Sequence, residues 1–306
     1  METAGVPSVS FWLERRAAAL GAPGAAWLAA LPELVEELQD RWALTVEDEL
    51  DGGTSSWVAR VRSADGTRAV LKVALPDATS EREVTVLLAA DGRGYARVLA
   101  AAPEHRAVVL ELLGTSLDEA GLAPEQQIIE LCSALRDAWQ LPRGDVAPEA
   151  KAESLAQLVM RLWDELDGPC SARVVDRALE CAHHRAAGTG QLVVVHGDPH
   201  PGNALQRADG TFVFVDPDGF VADPTYDLGV VMRDWCPELL AGDAVQLADR
   251  YCRLLAEHTG LDRAAIEEWG FLERVSSGLH ILELGRPDLA APFLDTAELL
   301  AEQRPP

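Results

Sequence analysis

The pattern of apolar and polar positions divides the chain into a strand-rich first part and a mainly helical remainder. Alternating apolar residues predict strands in the first part, and Asp65-Gly66 between two of them is typical of a hairpin turn. Apolar residues at helical spacing predict helices on either side of this hairpin. In chain order, the predicted elements are a helix at 27–42, strands at 56–62 and 68–73, a helix at 79–90 and a strand at 106–113.

The remainder, after a boundary predicted at Gly114, has the apolar spacing of helices. Two apolar runs interrupt them, at 192–195 and 211–215, and predict a second pair of neighbouring strands. The predicted helices lie at 124–140, 150–166, 172–187 and from 239 to the end, with a break near Arg286-Pro287.

The order of these elements predicts an α+β protein with two lobes. The N-terminal lobe, 1–114, has a small antiparallel sheet preceded by leading helices within 1–45, and the C-terminal lobe, 115–306, is larger and helical. Clefts between lobes are favoured ligand sites, so we expect a small-molecule site between the two.

Composition excludes several classes of protein. The chain has 306 residues, of which 48% are hydrophobic and 25% charged, and this excludes global disorder. Its 26 basic and 50 acidic residues give a formal net charge of −24, which disfavours nucleic acid polymers and anionic membranes as partners. Acidity is also a general solubility device, so it names no substrate by itself.

The sequence lacks the usual signals for membrane insertion, secretion and disulfide bonding. No apolar run approaches the roughly 18 residues of a membrane helix. The N-terminus shows no basic segment followed by an apolar core. The five cysteines have no C-x-x-C spacing, so neither a zinc site nor a disulfide framework is indicated. We therefore expect a cytoplasmic protein.

The densest polar cluster lies directly after the apolar run at 192–195. It contains Asp198 and Asn203, and Asp216 stands at the end of the next predicted strand. Phosphoryl transfer from a nucleotide needs a carboxylate that positions and deprotonates the acceptor hydroxyl, together with oxygen ligands for magnesium. Asp and Asn supply the hard oxygens that Mg²⁺ prefers. The D-x-x-x-x-N spacing and the later Asp match the catalytic loop and the D-F-G element of protein kinases.

Lys72 ends the sequence Ala-Val-Leu-Lys and matches the strand lysine of the kinase V-A-I-K element. Such a lysine reaches nucleotide phosphates if an acid on the next helix orients it. Glu81 and Glu83 are the candidates. We prefer Glu83 because Val84 and Leu87, in the segment that it begins, can share one apolar face. A half-buried lysine that only extends its ammonium group to water is the alternative interpretation of Lys72.

The glycine-rich G-x-G-x-x-G loop of kinases is missing. The segment at 50–56 stands in its place, and it contains two glycines and Ser55. Its glycines and hydroxyls are weak candidates for contacts with nucleotide phosphates.

The combined motifs resemble the aminoglycoside phosphotransferase family. They are His196-Gly-Asp-x-His-x-x-Asn203, then Asp216-Pro-Asp-Gly, then Asp223-Pro-Thr-Tyr-Asp-Leu-Gly229. The Asp-Pro-x-Gly form is most similar to the branch that contains streptomycin 6-phosphotransferase and hydroxyurea phosphotransferase. The specific match covers 192–229, and a looser similarity in order and spacing covers most of the chain.

The resemblance implies a protein-kinase-like fold that holds ATP, or GTP, between the lobes with Mg²⁺. It implies that Asp198 is the catalytic base and that Asn203 and Asp216 hold the metal. Lys72, paired with Glu83, would hold the α- and β-phosphates. The resemblance also implies that main-chain groups around Glu111 to Leu113 bind adenine and that Asp227 braces the catalytic loop.

The acceptor implied by the resemblance is a small molecule, and streptomycin, a cation, is the first candidate. Acids after Asp227 are individually typical of solvated helix residues, but some of them could contact such a cation. They are Asp234, Glu238, Asp243, Glu283 and Asp288. A monomer and a dimer are both compatible with the sequence.

Three alternatives stay open. The same chemistry serves hydroxyurea and other small hydroxyl-bearing metabolites, because a fold does not determine a substrate. His196 and His200 could be metal ligands of a phosphoesterase, but such enzymes have no use for Lys72 with Glu83. A relative that binds nucleotide without catalysis is disfavoured, since all the catalytic residue types are present.

Overall fold

A computed structural model describes residues 7, 9–50, 55–144, 146–188 and 190–302. Two compact units make up the chain, Met1–Gly114 and Thr115–Pro306. Within the described residues, no helix has both the length and the apolar character needed to cross a membrane.

The first unit is a five-stranded antiparallel sheet with helices. The strand order is β1-β2-β3-β5-β4. Its elements are α1 (Phe11–Ala19), α2 (Ala22–Trp42), β1 (Leu44–Glu49), β2 (Ser56–Ser63), β3 (Arg68–Ala74), α3 (Ala78–Ala90), β4 (Val98–Ala102) and β5 (Ala107–Glu111). The predicted hairpin is confirmed, since β2 pairs with β3 and Gly66 has a φ of 90° in the turn between them.

Side-chain alternation in this sheet decides which face Lys72 occupies. Trp57 of β2 and Leu71 of β3 belong to the core that packs against Leu31 and Leu38 of α2. Lys72 is next to Leu71 and pairs across the hairpin with Val58. Because successive side chains of a strand point to opposite faces, Lys72 lies on the face away from the α2 core.

The second unit is mainly helical, as predicted. Its helices are α4 (Pro124–Ala138), α5 (Lys151–Glu165), α6 (Ala172–Ala186), α7 (Thr225–Arg233), α8 (Cys236–Ala241), α9 (Ala244–Thr259), α10 (Arg263–Glu283) and α11 (Pro287–Glu302). The predicted break near Arg286-Pro287 falls between α10 and α11. The observed elements agree with the predicted α+β class, a small antiparallel sheet followed by a larger helical part.

The strand pairing predicted in the second unit is wrong. The runs at 192–195 and 211–215 do form strands, β6 (Val193–Val195) and β8 (Phe212–Phe214), but these two do not pair with each other. Strand β6 pairs with β9 (Phe220–Ala222), and β8 pairs with β7 (Ala204–Gln206). Three-residue strands carry too short a pattern to specify their partners, and neither β7 nor β9 was predicted.

Helices α7 and α10 approach each other unusually closely through glycine. A methyl group built on Gly229 of α7 would lie 2.2 Å from Trp269 Cβ of α10. Likewise, a methyl group on Gly270 of α10 would lie 2.7 Å from Met232 Cβ of α7. Since atoms at those distances overlap, only glycine permits this packing of α7 against α10.

Candidate active site

Lys72 and Glu83 form a buried ion pair in the first unit. The Lys72 ammonium donates a hydrogen bond to Glu83 Oε1, and only 4% and 7% of the two side chains are exposed. Glu81, the other candidate, is 66% exposed and lies 3.6 Å from Arg106. The structure therefore brings together the two residues that the sequence selected. It excludes the alternative in which the ammonium group of Lys72 extends to water.

The other predicted nucleotide contacts of this unit are placed as follows. The Ser55 carbonyl accepts a hydrogen bond of 2.9 Å from the Leu75 N–H, and residues 51–54 of the loop lie outside the described residues. Glu111 ends β5, and its carboxylate accepts a 2.8 Å hydrogen bond from the Arg97 N–H. Leu113 lies two residues beyond β5 and is half-buried.

His196, in the loop after β6, is fully buried and bonds to main-chain groups through both ring nitrogens. Its Nε2 lies 2.9 Å from the Val215 carbonyl, and its Nδ1 accepts a 3.1 Å hydrogen bond from the Asp198 N–H. Burial lowers the pKa of His196 to about 4, so the ring is neutral near pH 7. These bonds tie the loop to the residue before Asp216. They also leave no ring nitrogen for a metal.

Asp227 of α7 holds the same loop from its other side. Its carboxylate accepts hydrogen bonds from the N–H groups of His196 and Gly197, at 2.9 and 2.8 Å, and from Trp139 Nε1 at 2.8 Å. Complete burial raises the pKa of Asp227 to about 6, although the three donors oppose this shift. The loop backbone is therefore fixed by side chains that do not themselves face a substrate.

Gly197 is required by the path of the loop next to Asp198. Its φ is +95°, a conformation that L side chains rarely adopt. A methyl group there would also lie 2.6 Å from Asp218 Cβ. Asp218 therefore packs against the turn that presents Asp198.

Asp198 keeps 37% of its side chain exposed, so a substrate hydroxyl can reach it. Arg233, at the end of α7, donates a 2.8 Å hydrogen bond to Asp198 Oδ1, and His200 Nε2 lies 3.6 Å from Oδ2. Burial is the largest single influence and would raise the pKa of Asp198, but the charge and hydrogen bond of Arg233 together with the neighbouring His200 and His196 hold this pKa below its ordinary value. Asp198 is therefore a carboxylate at neutral pH.

Arg233 is surrounded by acids. Besides Asp198, it contacts Asp234 at 3.1 Å and Glu273 of α10 at 3.7 Å. Glu273 in turn accepts a 2.7 Å hydrogen bond from the hydroxyl of Tyr226. Desolvation alone would lower the pKa of Arg233, but these acids raise it well above the ordinary value, so the guanidinium is a permanent charge beside Asp198.

Asn203 and Asp216 become neighbours through the pairing of β7 with β8. The Val215 N–H donates a 2.9 Å hydrogen bond to the Asn203 carbonyl, and Asp216 follows Val215 directly. Asn203 Nδ2 donates to the Asp198 carbonyl at 3.0 Å, which orients the amide through its nitrogen and leaves its oxygen available to a metal ion. Asp216 has a φ of +59° and an exposed side chain. This pair of hard oxygen donors fits Mg²⁺.

Comparison with known proteins shows the family to which the chain belongs. The family model described as "Aminoglycoside/hydroxyurea antibiotic resistance kinase" matches residues 41–285. The chain belongs to this kinase family. The resemblance inferred from the motifs is thereby confirmed, and the chain is a phosphotransferase that acts on a hydroxyl group.

Individual relatives agree with the family. A streptomycin 6-kinase from Streptomyces glaucescens is 31% identical over 93% of this chain and 94% of its own length. A hydroxyurea phosphotransferase from Kitasatospora aureofaciens is 29% identical over 92% of this chain and 82% of its own length. Among solved structures, a thermostable mutant of an aminoglycoside phosphotransferase in complex with ADP and hygromycin B covers 87% of this chain and 97% of its own. Its TM-score is 0.61 at 16% identity, which shows the shared kinase-like fold.

The sequence did not predict that Arg233 and Trp139 contribute to the candidate active site. Arg233 lies six positions after Asp227 on the same helix, and a predicted helix over this segment would have suggested it. Trp139 lies 88 positions before Asp227, and no local signal connects the two.

The acids proposed for a cationic acceptor are mostly engaged elsewhere. Glu283 pairs with Arg161 and His280, and Asp288 pairs with Arg286. Asp243 accepts from the Gln246 N–H and caps α9. Asp234, next to Arg233, is the member of the set that the structure brings into the Asp198 cluster.

Proposed function

We propose that this kinase transfers the γ-phosphate of ATP to a hydroxyl of an aminoglycoside of the streptomycin type. The observation that carries the proposal is the loop geometry, in which Asp198, Asn203 and Asp216 are brought together by two short sheets. The 31% identity to a streptomycin 6-kinase over 93% of the chain supports the choice of acceptor. A cationic acceptor also suits a chain with a net charge of −24.

In the proposed reaction, Asp198 accepts the proton of the acceptor hydroxyl while the hydroxyl oxygen bonds to the γ-phosphorus. The bond between that phosphorus and the β,γ-bridging oxygen breaks, and ADP leaves. Arg233 keeps this carboxylate ionised, while His196 and Asp227 hold its backbone in place. Asn203 and Asp216 would hold Mg²⁺, which neutralises charge on the nucleotide phosphates when bound. Lys72, oriented by Glu83, would hold the α- and β-phosphates.

Main-chain groups after β5 would bind the nucleotide base. Among the described residues, no hydrogen bond involves the main-chain groups of Leu113, although Glu111 pairs with Arg97. A base that pairs with Leu113 would satisfy these groups. ATP is the expected donor, and a competition between ATP and GTP would test this preference.

Hydroxyurea is the second candidate acceptor. It is supported by the 29% identity to a hydroxyurea phosphotransferase over 92% of the chain. The N–OH group of hydroxyurea offers the same kind of nucleophile to Asp198.

A single assay separates the two acceptors. Purified protein is incubated with Mg²⁺-ATP and either streptomycin or hydroxyurea. ADP release is measured, and the mass of the product is determined by mass spectrometry. We expect an aminoglycoside that is heavier by one phosphoryl group. Phosphorylated hydroxyurea alone would favour the second candidate. ADP release without any phosphorylated acceptor would contradict both.

Removing the charge beside the base should shift the pH dependence of the reaction. In Arg233→Met, the largest opposition to burial is removed, so the pKa of Asp198 is expected to rise. As the pH falls, Asp198 is then protonated at a higher pH than in the unsubstituted protein. The acid limb of kcat/KM against pH should therefore shift to higher pH. An unchanged limb would show that Asp198 is not the group that titrates there. Arg250→Met, the same change at an exposed arginine of α9 that pairs with Glu125, is the matched control.

A further inference from the structure

Arg274 of α10 is a buried arginine held by neutral hydrogen-bond acceptors. Only 1% of the residue is exposed, and among the described residues it forms no ion pair with a carboxylate. Its Nη2 donates a 2.6 Å hydrogen bond to the Met232 carbonyl. Its Nη1 donates to Cys236 Sγ and to Thr296 Oγ1, both at 2.9 Å. Burial of an unpaired charge is costly, so these hydrogen bonds must compensate for lost hydration.

Two of these contacts meet the C-terminal end of α7. The last carbonyls of a helix have no partner within the helix, and a cation near them is favoured by the helix dipole. Arg274 satisfies the Met232 carbonyl, and Cys236 Sγ donates to the Arg233 carbonyl at 3.5 Å. Arg274 thus stabilises the end of α7 both directly and through Cys236.

The end of α7 is also where the proposed base is held. Arg233, the last residue of α7, follows Met232 and donates to Asp198. We propose that Arg274 is a positioning residue that fixes the end of α7 and thereby keeps Arg233 directed at Asp198. The inference rests on the proposed function, because it assigns Asp198 the role of base.

The charges around the two arginines differ in a way that supports this division of roles. Arg233 faces carboxylates from three segments: Asp198 of the loop, Asp234 after α7 and Glu273 of α10. Because three carboxylates compete for the Arg233 guanidinium, the position of the Arg233 backbone decides which of them the guanidinium points to. Arg274 donates to a carbonyl, a thiol and a hydroxyl, and Asp234 acts on it through charge without forming an ion pair.

Arg177 of α6 provides a matched control. It donates to the Leu300 carbonyl and to Glu267, and its guanidinium lies 4.1 Å from the centre of the Phe271 ring. It therefore supports α10 and α11 from the side of α6, and within the described part of the chain it forms no hydrogen bond or ion pair with α7. Arg177→Met should lower stability without moving the end of α7.

The experiment compares Arg274→Met, Arg274→Lys and Arg177→Met in the full chain, using the acceptor and ATP assay. We expect Arg274→Met to lower kcat by roughly tenfold, since misplaced groups slow chemistry, while KM for ATP stays nearly constant. Arg274→Lys, which keeps a donor for the Met232 carbonyl, should recover most of the rate. In an Arg233→Met background, Arg274→Met should lower kcat by no more than about twofold further. An effect that multiplies with that of Arg233→Met, or no effect on kcat, would overturn the inference.

A second measurement does not depend on turnover. Amide hydrogen exchange at the end of α7, residues 229–233, should accelerate in Arg274→Met and remain as in the unsubstituted chain in Arg177→Met. Equal exchange in all three proteins would overturn the inference even if the enzyme is active. If the unsubstituted chain phosphorylates no acceptor, the proposed function fails, and the exchange data still decide whether Arg274 fixes α7.

Discussion

Replacement of Asp198 by asparagine should lower kcat by about 100- to 10,000-fold, the usual loss when a general base is removed. The binding of ATP should change little, because the predicted phosphate contacts come from Lys72 and the metal ligands. The fold should also persist, since Arg233 retains Asp234 and Glu273 as partners. Single-turnover rates and ATP titration of the same variant measure the two effects separately.

The control for this prediction is Asp209→Asn, the same chemical change in an exposed turn. Asp209 accepts hydrogen bonds from the N–H and hydroxyl of Thr211, and an asparagine oxygen can accept them too. Its kcat should match that of the unsubstituted protein. If Asp198→Asn retained full activity while Asp209→Asn behaved as expected, the base would have to be another residue.

Local patterns predicted the first unit well. The alternation in β2 and β3 fixed the hairpin, and the helical spacing after β3 placed Glu83 within reach of Lys72. The elements that were missed there are β1 and β4. Strand β1 has only two apolar residues, Leu44 and Val46, and β4 is mainly alanine, so neither carries a pattern strong enough to predict a strand. Sequence patterns detect a strand when one of its faces is strongly apolar.

The candidate site was predictable where its residues lie close together in sequence. Asp198, Asn203 and Asp216 belong to one motif of 19 residues, and their spacing carries the chemistry. The contact from Trp139 to Asp227 and that from Glu273 to Arg233 depend on helix packing, which no local pattern encodes. The pairing of β6 with β9 was missed because three-residue strands carry too short a pattern to specify their partners. The residues that support the site are therefore less predictable than those that carry out its chemistry.

Lys72→Met is the second substitution with a large expected effect, and it acts on stability as well as on function. It leaves the buried carboxylate of Glu83 without its ammonium partner, and breaking such a pair costs about 3–5 kcal/mol of unfolding free energy. The nucleotide also loses its proposed phosphate contact, so kcat/KM for ATP should fall by about 100- to 1,000-fold. Denaturant unfolding and steady-state kinetics measure the two losses.

The double variant Lys72→Met, Glu83→Met separates these effects. Because an apolar pair of similar size often replaces a buried ion pair without loss, we expect unfolding free energy near that of the unsubstituted protein. Activity should stay as low as in Lys72→Met, since the cation is still missing. Glu81→Gln, an exposed change on the same helix, should alter neither quantity. Activity restored together with stability would show that Lys72 serves the fold alone; stability restored without activity would assign it to the nucleotide.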